Sequence, residues 1–339
     1  MNRELAQKMA DAVLYEGYML YPYRRSAMKN RQRWSFGILY PPAYDEVSSG
    51  TERSAMHSEC LLKISGTATL HVQLRFLHLV LREGARQCEP ASGVPASSVG
   101  DLPGSESWDE GVERSLEFKV ALPAASSQSF RFSFPGSFET ESMRSGNTQE
   151  TSANCRTQHG VNGTVSVLSQ AIRENVLKVT IDVANQTILP SDATERETAL
   201  LRSLLSAHTI LSLSAGKFVS LMDPPEELRE AARGCKNDGN FPVLLGEPST
   251  ADMMLCSPII LYDYPQIAPE SAGDFYDATE MDEMLTLRLM TLAENEKKEM
   301  RTADSRTSEL LRRTEQSARE QLMRTHGVIR SLRPVSEES

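Results

Sequence analysis

Residues 69–80 read TLHVQLRFLHLV, a stretch in which apolar and polar side chains alternate. The even positions from Leu70 to Phe76 are apolar, and the odd positions from Thr69 to Arg75 are polar. Because successive side chains of a β-strand point to opposite faces, this alternation puts the apolar groups on one face. The stretch therefore predicts a strand with one face in a hydrophobic core and the other towards solvent.

The same alternation recurs along the chain. Further examples are 116–120 (LEFKV), 130–134 (FRFSF), 165–167 (VSV) and 177–183 (LKVTIDV). Residues 210–221 have two apolar runs around Ala-Gly-Lys, which predicts a hairpin. Many alternating strands without intervening helices predict an antiparallel, sandwich-like domain over about residues 55–222, in an α+β fold.

Sequence character divides the chain into five predicted parts. These are a Tyr- and Arg-rich segment at 1–54 (helix, then extended), the sandwich-like domain at 55–222, a helix, strand and acidic Tyr-rich segment at 223–278, C-terminal helices at 279–330 and a disordered tail at 331–339. Within the sandwich, the polar stretch 86–113 is rich in Pro, Gly and Ser, and the polar stretch 136–163 has almost no aliphatic residues. We therefore expect these two stretches to be mobile surface loops.

Helix-start signals follow the predicted strands. Residues 223–226 (DPPE) combine an N-cap residue with proline at the first helical position, which predicts a helix to about Cys235. Thr291, with Glu294 three residues later, starts a charged helix to about Arg319. The apolar stripe of this second helix is thin and consists of Met300, Ala303, Leu310 and Leu311. We therefore expect it to lie over a partner surface or to project into solvent.

The overall composition is that of a globular protein. The 339 residues are 40% hydrophobic and 24% charged, which argues against wholesale disorder and against a fibrous protein. No run of about 18 apolar residues occurs, so no membrane span is predicted. The chain start lacks the apolar core of a signal peptide, which predicts a cytoplasmic location. The net charge of -10 argues against nucleic-acid binding by the chain as a whole.

The cysteines and histidines give little sign of a chemical site. The five cysteines are far apart in sequence, and we expect them to be reduced structural thiols. His57 and Cys60 form an H-x-x-C pair, with Cys256 as a further candidate, but a metal site needs three or four suitably spaced ligands. We therefore predict neither a metal nor a cofactor, and a protein that is not an enzyme. A small-molecule enzyme or a metal-handling protein using these three residues is the alternative.

The nine tyrosines fall into two clusters of opposite charge. The first lies in residues 15–44, where the acid-free run 17–44 carries five Lys and Arg residues. The second lies in residues 257–287, which have seven carboxylates and no Lys or Arg. We hypothesise that the two segments pack together or face one partner.

These segments predict a docking surface, because Tyr, Trp and Arg dominate protein interfaces. The expected contact residues are Tyr21, Tyr23, Arg24, Arg25, Lys29, Arg31, Arg33 and Trp34 in the first segment and Tyr262, Asp263 and Tyr264 in the second. The basic run at 24–33 could instead bind an anionic ligand or a nucleic acid, since guanidinium groups and aromatic rings suit phosphates and bases.

Four blocks of the chain resemble a bacterial family. The blocks are VLYEGYMLYPYRRSAMKNRQRWSFGILYPPAY (13–44), SWDEGVER (107–114), SLMDPPEELREAARGC (220–235) and CSPIILYDYPQIAPESAGDFYDATEMDEMLTLRLMTL (256–292). The family is associated with accessory genes beside the structural and maturation genes of NiFe hydrogenases, and the resemblance transfers no catalytic residue. It implies a cytoplasmic accessory protein that acts as an assembly or scaffolding factor, with a hydrogenase subunit or maturation factor as partner.

Overall fold

The computed structural model describes residues 2–16, 18, 33–48, 50–64, 66–84, 108–123, 127–144, 151–190, 195–266, 289, 291–303 and 305–316. The chain forms two compact units. We call residues 1–16 and 34–266 the sandwich unit, and residues 17–33 and 267–339 the tail unit.

The sandwich unit consists mainly of strands. Its described strands are β1 (Ala55–Lys63), β2 (Ala68–Gly84), β3 (Trp108–Leu122), β4 (Gln128–Phe134), β5 (Ser137–Arg144), β6 (Thr151–Gln158), β7 (Val161–Arg173), β8 (Val176–Asn185), β9 (Leu205–Leu213), β10 (Lys217–Phe218), β11 (Phe241–Leu245) and β12 (Met253–Ser257). Its helices are α1 (Asn2–Leu14), α2 (Pro42–Val47), α3 (Arg196–Leu200) and α4 (Arg229–Arg233), with a 3-10 turn at Glu226–Leu228.

The strands pair into two antiparallel sheets. One sheet has the order β10-β1-β8-β7-β4, and the other has the order β11-β12-β9-β2-β6-β5. The long strand β2 pairs with β9 and β6 at different points along its length, and it also pairs with β3. Strands far apart in sequence are neighbours, as in the pairing of Ala55 in β1 with Ala184 in β8. The predicted α+β fold with a sandwich-like antiparallel domain is confirmed.

The core lies where the alternating sequences placed it. In β2 the apolar positions from Leu70 to Phe76 are buried, and in β8 the same holds from Leu177 to Val183. These side chains form one cluster with residues from both sheets. The period-two patterns therefore predicted the inner faces correctly.

The outer face of β2 is covered rather than solvated near its centre. Helix α1 contacts β2, β9 and β12, and its Ala10 and Val13 are buried. Beneath this helix, Arg75 of β2 is only 1% exposed and is paired with Asp11 of α1 and with Glu113 of β3. The expectation that the polar face of β2 meets water is therefore wrong at Arg75.

Both predicted mobile loops contain strands. The stretch 86–113 includes the first residues of β3, and the stretch 136–163 includes β5, β6 and the start of β7. Strands β5 and β6 pair along their full length from Ser137 opposite Gln158 to Arg144 opposite Thr151. Backbone hydrogen bonds and exposed polar side chains suffice at the edge of a sheet, so the lack of aliphatic residues misled the prediction.

The predicted end of the sandwich at residue 222 is also wrong. β11 and β12 belong to the same sheet as β9, and the sandwich unit continues to residue 266. The predicted hairpin at 210–221 does not form, because β9 and β10 lie in different sheets. The helix expected from Asp223 is present but short, as the 3-10 turn followed by α4.

The tail unit contains two described helices, α5 (Glu294–Ala303) and α6 (Ser305–Gln316). They pack against each other, and Arg301 of α5 donates to Glu315 of α6 at 2.8 Å. Met300, Leu310 and Leu311 are at most 2% exposed. These three residues of the thin apolar stripe are therefore buried, and the expectation that this segment projects into solvent is wrong.

Candidate functional site

Asp263 organises one corner of the sandwich unit. Its carboxylate accepts a hydrogen bond from the backbone amide of Leu244 in β11 at 2.8 Å and another from the Ser220 hydroxyl at 2.5 Å. The amide of Tyr264 donates to the carbonyl of Leu244 at 2.8 Å. Two charge-assisted bonds and one backbone bond thus hold the segment 262–264 against β11 and the 220–223 turn.

Large apolar side chains are exposed on the three segments that these bonds join, which are β11, the 220–223 turn and the chain before Asp263. The chain leaves β12 at Ser257, opposite Phe241, and returns to β11 at Leu244, so residues 258–262 pass around the start of β11. Four exposed residues mark this corner, and their exposed fractions are 51% for Met222, 44% for Phe241, 75% for Ile260 and 79% for Tyr262. We call these four residues the apolar corner.

The turn that carries Met222 is fixed to the same carboxylate. The Ser220 hydroxyl, which donates to Asp263, accepts hydrogen bonds from the amides of Met222 at 3.1 Å and Asp223 at 2.8 Å. The apolar corner is therefore presented by a hydrogen-bonded scaffold. A preorganised apolar surface loses little conformational entropy on binding.

The three predicted residues of the acidic segment have different roles. Tyr262 is exposed and belongs to the apolar corner, as a contact residue should. The carboxylate of Asp263 is engaged by internal hydrogen bonds, and the ring of Tyr264 packs against the main core. Burial, followed by the nearby Asp263 carboxylate, raises the pKa of Tyr264.

The described residues of the basic segment are buried. Arg33 is 4% exposed, donates to the Tyr18 carbonyl at 3.3 Å and lies over the Tyr18 ring. Trp34 is 6% exposed, and its carbonyl accepts a hydrogen bond from Arg196 at 2.7 Å. Neither side chain offers a docking surface, so both are corrected as contact residues.

The other predicted contact residues of the basic segment lie outside the described residues. They are Tyr21, Tyr23, Arg24, Arg25, Lys29 and Arg31. The pairing of the basic and acidic segments, and ligand binding by residues 24–33, therefore remain hypotheses.

The three candidate metal ligands do not converge. His57 and Cys60 lie on opposite faces of β1, because Cys60 is in the core while His57 is held on the outer face by Asp182 at 2.6 Å. Cys256 is in the core, and burial raises the pKa of both core thiols. Within the described ranges, no group of three or more His, Cys, Asp or Glu side chains is arranged to hold a metal ion.

Polar side chains on the outer face of β1 hold the loop that follows α4. Glu59 accepts hydrogen bonds from Lys178 at 2.7 Å and from the Lys236 amide at 2.8 Å. Burial raises the pKa of Glu59, but these two hydrogen bonds together with nearby positive charge, chiefly that of Lys178, lower the pKa overall. The network therefore ties a loop to the sheet.

One thiol prediction needs correction. Cys60, Cys235 and Cys256 are free, but Cys155 of β6 is disulfide-bonded. Disulfides persist mainly in oxidising compartments, whereas the sequence predicted reduced thiols.

Sequence reasoning singled out Tyr262 as a contact residue but did not consider Met222, Phe241 or Ile260. The run Pro258–Leu261 is apolar, and an apolar run normally predicts a buried strand. The turn of the chain around β11 instead leaves part of it exposed, and this depends on contacts distant in sequence.

None of the helices among the described residues is both long and apolar enough to cross a membrane, in line with the prediction of no membrane span. Comparison with known proteins shows no matching family model and no similar curated protein.

Proposed function

We propose that this protein is a non-enzymatic interaction module that binds a protein partner through the apolar corner. The observation that carries the proposal is the exposure of four large apolar side chains on a scaffold anchored by Asp263. Exposed apolar patches on folded proteins commonly mark interaction sites, and aromatic and Met side chains are enriched at such interfaces.

The partner that we propose is a NiFe hydrogenase subunit or maturation factor, with this protein as an assembly or scaffolding factor. The support is the resemblance of the blocks at 220–235 and 256–292, which contain Met222, Ile260 and Tyr262. A cytoplasmic location belongs to the same proposal. The disulfide at Cys155 counts against that location, because disulfides persist mainly in oxidising compartments.

Site-specific crosslinking tests the docking surface. A photocrosslinking amino acid at position 262 should capture a hydrogenase subunit or maturation factor in cells that express them. The same amino acid at Phe138, which is 55% exposed on β5, is the control. Equal capture from both positions, or no capture of a hydrogenase-related protein from 262, would contradict the proposal.

Affinity measurements with the purified partner then test the individual side chains. Ile260→Ser with Tyr262→Ser should weaken binding at least tenfold, because truncated interface anchors commonly cost more than about 1.4 kcal/mol. The matched control is Ile188→Ser, which removes an 85% exposed isoleucine outside the corner. Similar losses in the control would show that the corner is not the contact surface.

A further inference from the structure

A cleft of about 610 Å³ lies where three chain connections of the sandwich unit meet. It is formed by the end of β1, the β7–β8 turn, the β9–β10 turn and the 3-10 turn before α4. Its volume is in the range of small-molecule sites, about 300–1,000 Å³. None of the residues of the apolar corner lines it.

The walls of the cleft are held in place by the backbone. The Ile64 amide at the end of β1 donates to the carbonyl of Asn175 in the β7–β8 turn at 2.9 Å. Gly216 has a φ of +116°, and a Cβ there would lie 2.4 Å from the Lys63 carbonyl oxygen. Only glycine therefore allows the β9–β10 turn to approach β1 this closely. The cleft is preformed.

The base of the cleft is aliphatic. Ile64 and Val176 are each 5% exposed, and Leu228 is fully buried. Val176 and Leu228 belong to a small hydrophobic cluster between β1 and α4. Most of the accessible surface that lines the cleft above these side chains is apolar, so the aliphatic part of a ligand could lie against it.

The rim of the cleft carries an excess of positive charge. Among the described lining residues the cations are Lys63, Arg173 and Lys217 and the anions are Glu174 and Glu227, so three charges minus two leave +1. Lys63 pairs with Glu227 at 3.0 Å. Arg173 and Lys217 instead donate to the backbone carbonyls of Glu227 at 2.5 Å and of Ser249 at 3.0 Å. Carbonyls are neutral, so neither of these two bonds is an ion pair.

We propose that this cleft binds an amphipathic monoanion, an aliphatic chain that ends in a carboxylate. The aliphatic base takes the chain, and Arg173 and Lys217 bind the carboxylate. A single negative charge balances the rim, whereas a phosphate dianion would leave excess negative charge beside Glu174 and Glu227. Guanidinium and ammonium groups both bind carboxylates through charge-assisted hydrogen bonds.

Calorimetric titration of the full chain with octanoate tests the proposal. Octanoate should bind saturably at one site. Acetate, which lacks the chain, and octanol, which lacks the charge, should each bind at least tenfold more weakly. Octyl phosphate should also bind more weakly than octanoate. The absence of saturable octanoate binding, or equal binding of octanol, would overturn the proposal.

Charge-removing variants locate the site. Arg173→Gln with Lys217→Gln should weaken octanoate binding at least tenfold. The matched control, Lys119→Gln with Arg131→Gln, removes two exposed cations outside the cleft and should leave the affinity unchanged. Octanoate bound at the apolar corner would instead be lost in the Ile260→Ser, Tyr262→Ser variant, and that result would refute the cleft. Circular dichroism and the unfolding midpoint show whether each variant is folded.

Discussion

Arg75 is a charged residue in a position that the strand pattern assigns to solvent. Its guanidinium donates to Glu113 through both Nε at 3.0 Å and Nη2 at 2.6 Å, and to Asp11 at 2.6 Å. The arginine side chain is 1% exposed, whereas the two carboxylates are 40% and 36% exposed. The cost of desolvation therefore falls mainly on the arginine.

Removing both carboxylates should destabilise the protein more than removing the arginine. The Asp11→Asn, Glu113→Gln variant leaves a buried, unpaired cation and should lower the free energy of unfolding by about 3 kcal/mol. Arg75→Met leaves two carboxylates that water can reach, so its cost should be smaller. Urea unfolding measures both. Glu117→Gln on β3 is the control, and a larger loss in Arg75→Met would contradict the argument.

Two histidines are buried as neutral groups. The Nε2 atom of His78 lies 2.7 Å from the His159 carbonyl oxygen. Because a carbonyl oxygen can only accept a hydrogen bond, His78 is the donor. His208 donates from Nδ1 to the Ser206 carbonyl at 2.8 Å. Burial lowers the pKa of each to about 4. His78 occupies an even position of β2, on the face whose residues from Leu70 to Phe76 enter the core.

The stability of the protein should fall as the pH decreases from 6.5 to about 4. In this window the unfolded chain binds protons at His78 and His208 while the folded chain does not. Each histidine should lower the free energy of unfolding by up to about 1.4 kcal/mol per pH unit. His78→Gln, which can still donate to the His159 carbonyl, should flatten this dependence. His71→Gln on the opposite face of β2 should not, and equal slopes in all three proteins would refute the assignment.

The pairing of strand β7 with its two neighbours depends on a glycine, Gly163. Gly163 lies directly opposite Phe132 of β4, and a Cβ at Gly163 would lie 2.6 Å from the Phe132 ring and 2.4 Å from the Ala184 carbonyl of β8. The aromatic ring occupies the space that a side chain would fill. The three strands can therefore pair at this spacing only with glycine in the middle.

Gly163→Ala should lower the free energy of unfolding by about 1–3 kcal/mol, the usual cost of overpacking. Phe132→Leu in the same chain should restore part of the loss, because the two residues compete for one space. Gln170→Ala, an exposed change on the same strand, is the control. Chemical unfolding checks the series, and additive effects of Gly163→Ala and Phe132→Leu would contradict the argument.

Strands with an alternating apolar face could be predicted from the sequence, but the polar strands β5 and β6 could not. β2, β4 and β8 alternate apolar and polar residues because one face of each enters the core. β5 and β6 obtain their stability from backbone pairing, which leaves little trace in side-chain polarity. The apolar corner also could not be predicted from local sequence. The exposure of Ile260 depends on the contacts of Asp263 with Leu244 and Ser220, which are distant in sequence.

The number of free thiols in the whole molecule can be measured by alkylation. In the unfolded, unreduced protein, iodoacetamide should modify Cys60, Cys235 and Cys256 but not Cys155. Of these three free thiols, only the half-buried Cys235 should react in the folded protein, and slowly, because burial raises its pKa to about 11. Peptide mass spectrometry reads both patterns. Modification of Cys155 without reductant would show that it is a free thiol.

The pairing of β1 with β8 has a consequence for synthesis on the ribosome. Ala55 meets Ala184, and at about 5–20 residues per second the gap of 129 residues takes roughly 6–26 seconds to translate. During that interval both edges of β1 lack their native strand partners, because β10 is translated later still. Nascent chains of this protein are thus exposed to aggregation, and we expect a holding chaperone to be needed longest before β8 emerges.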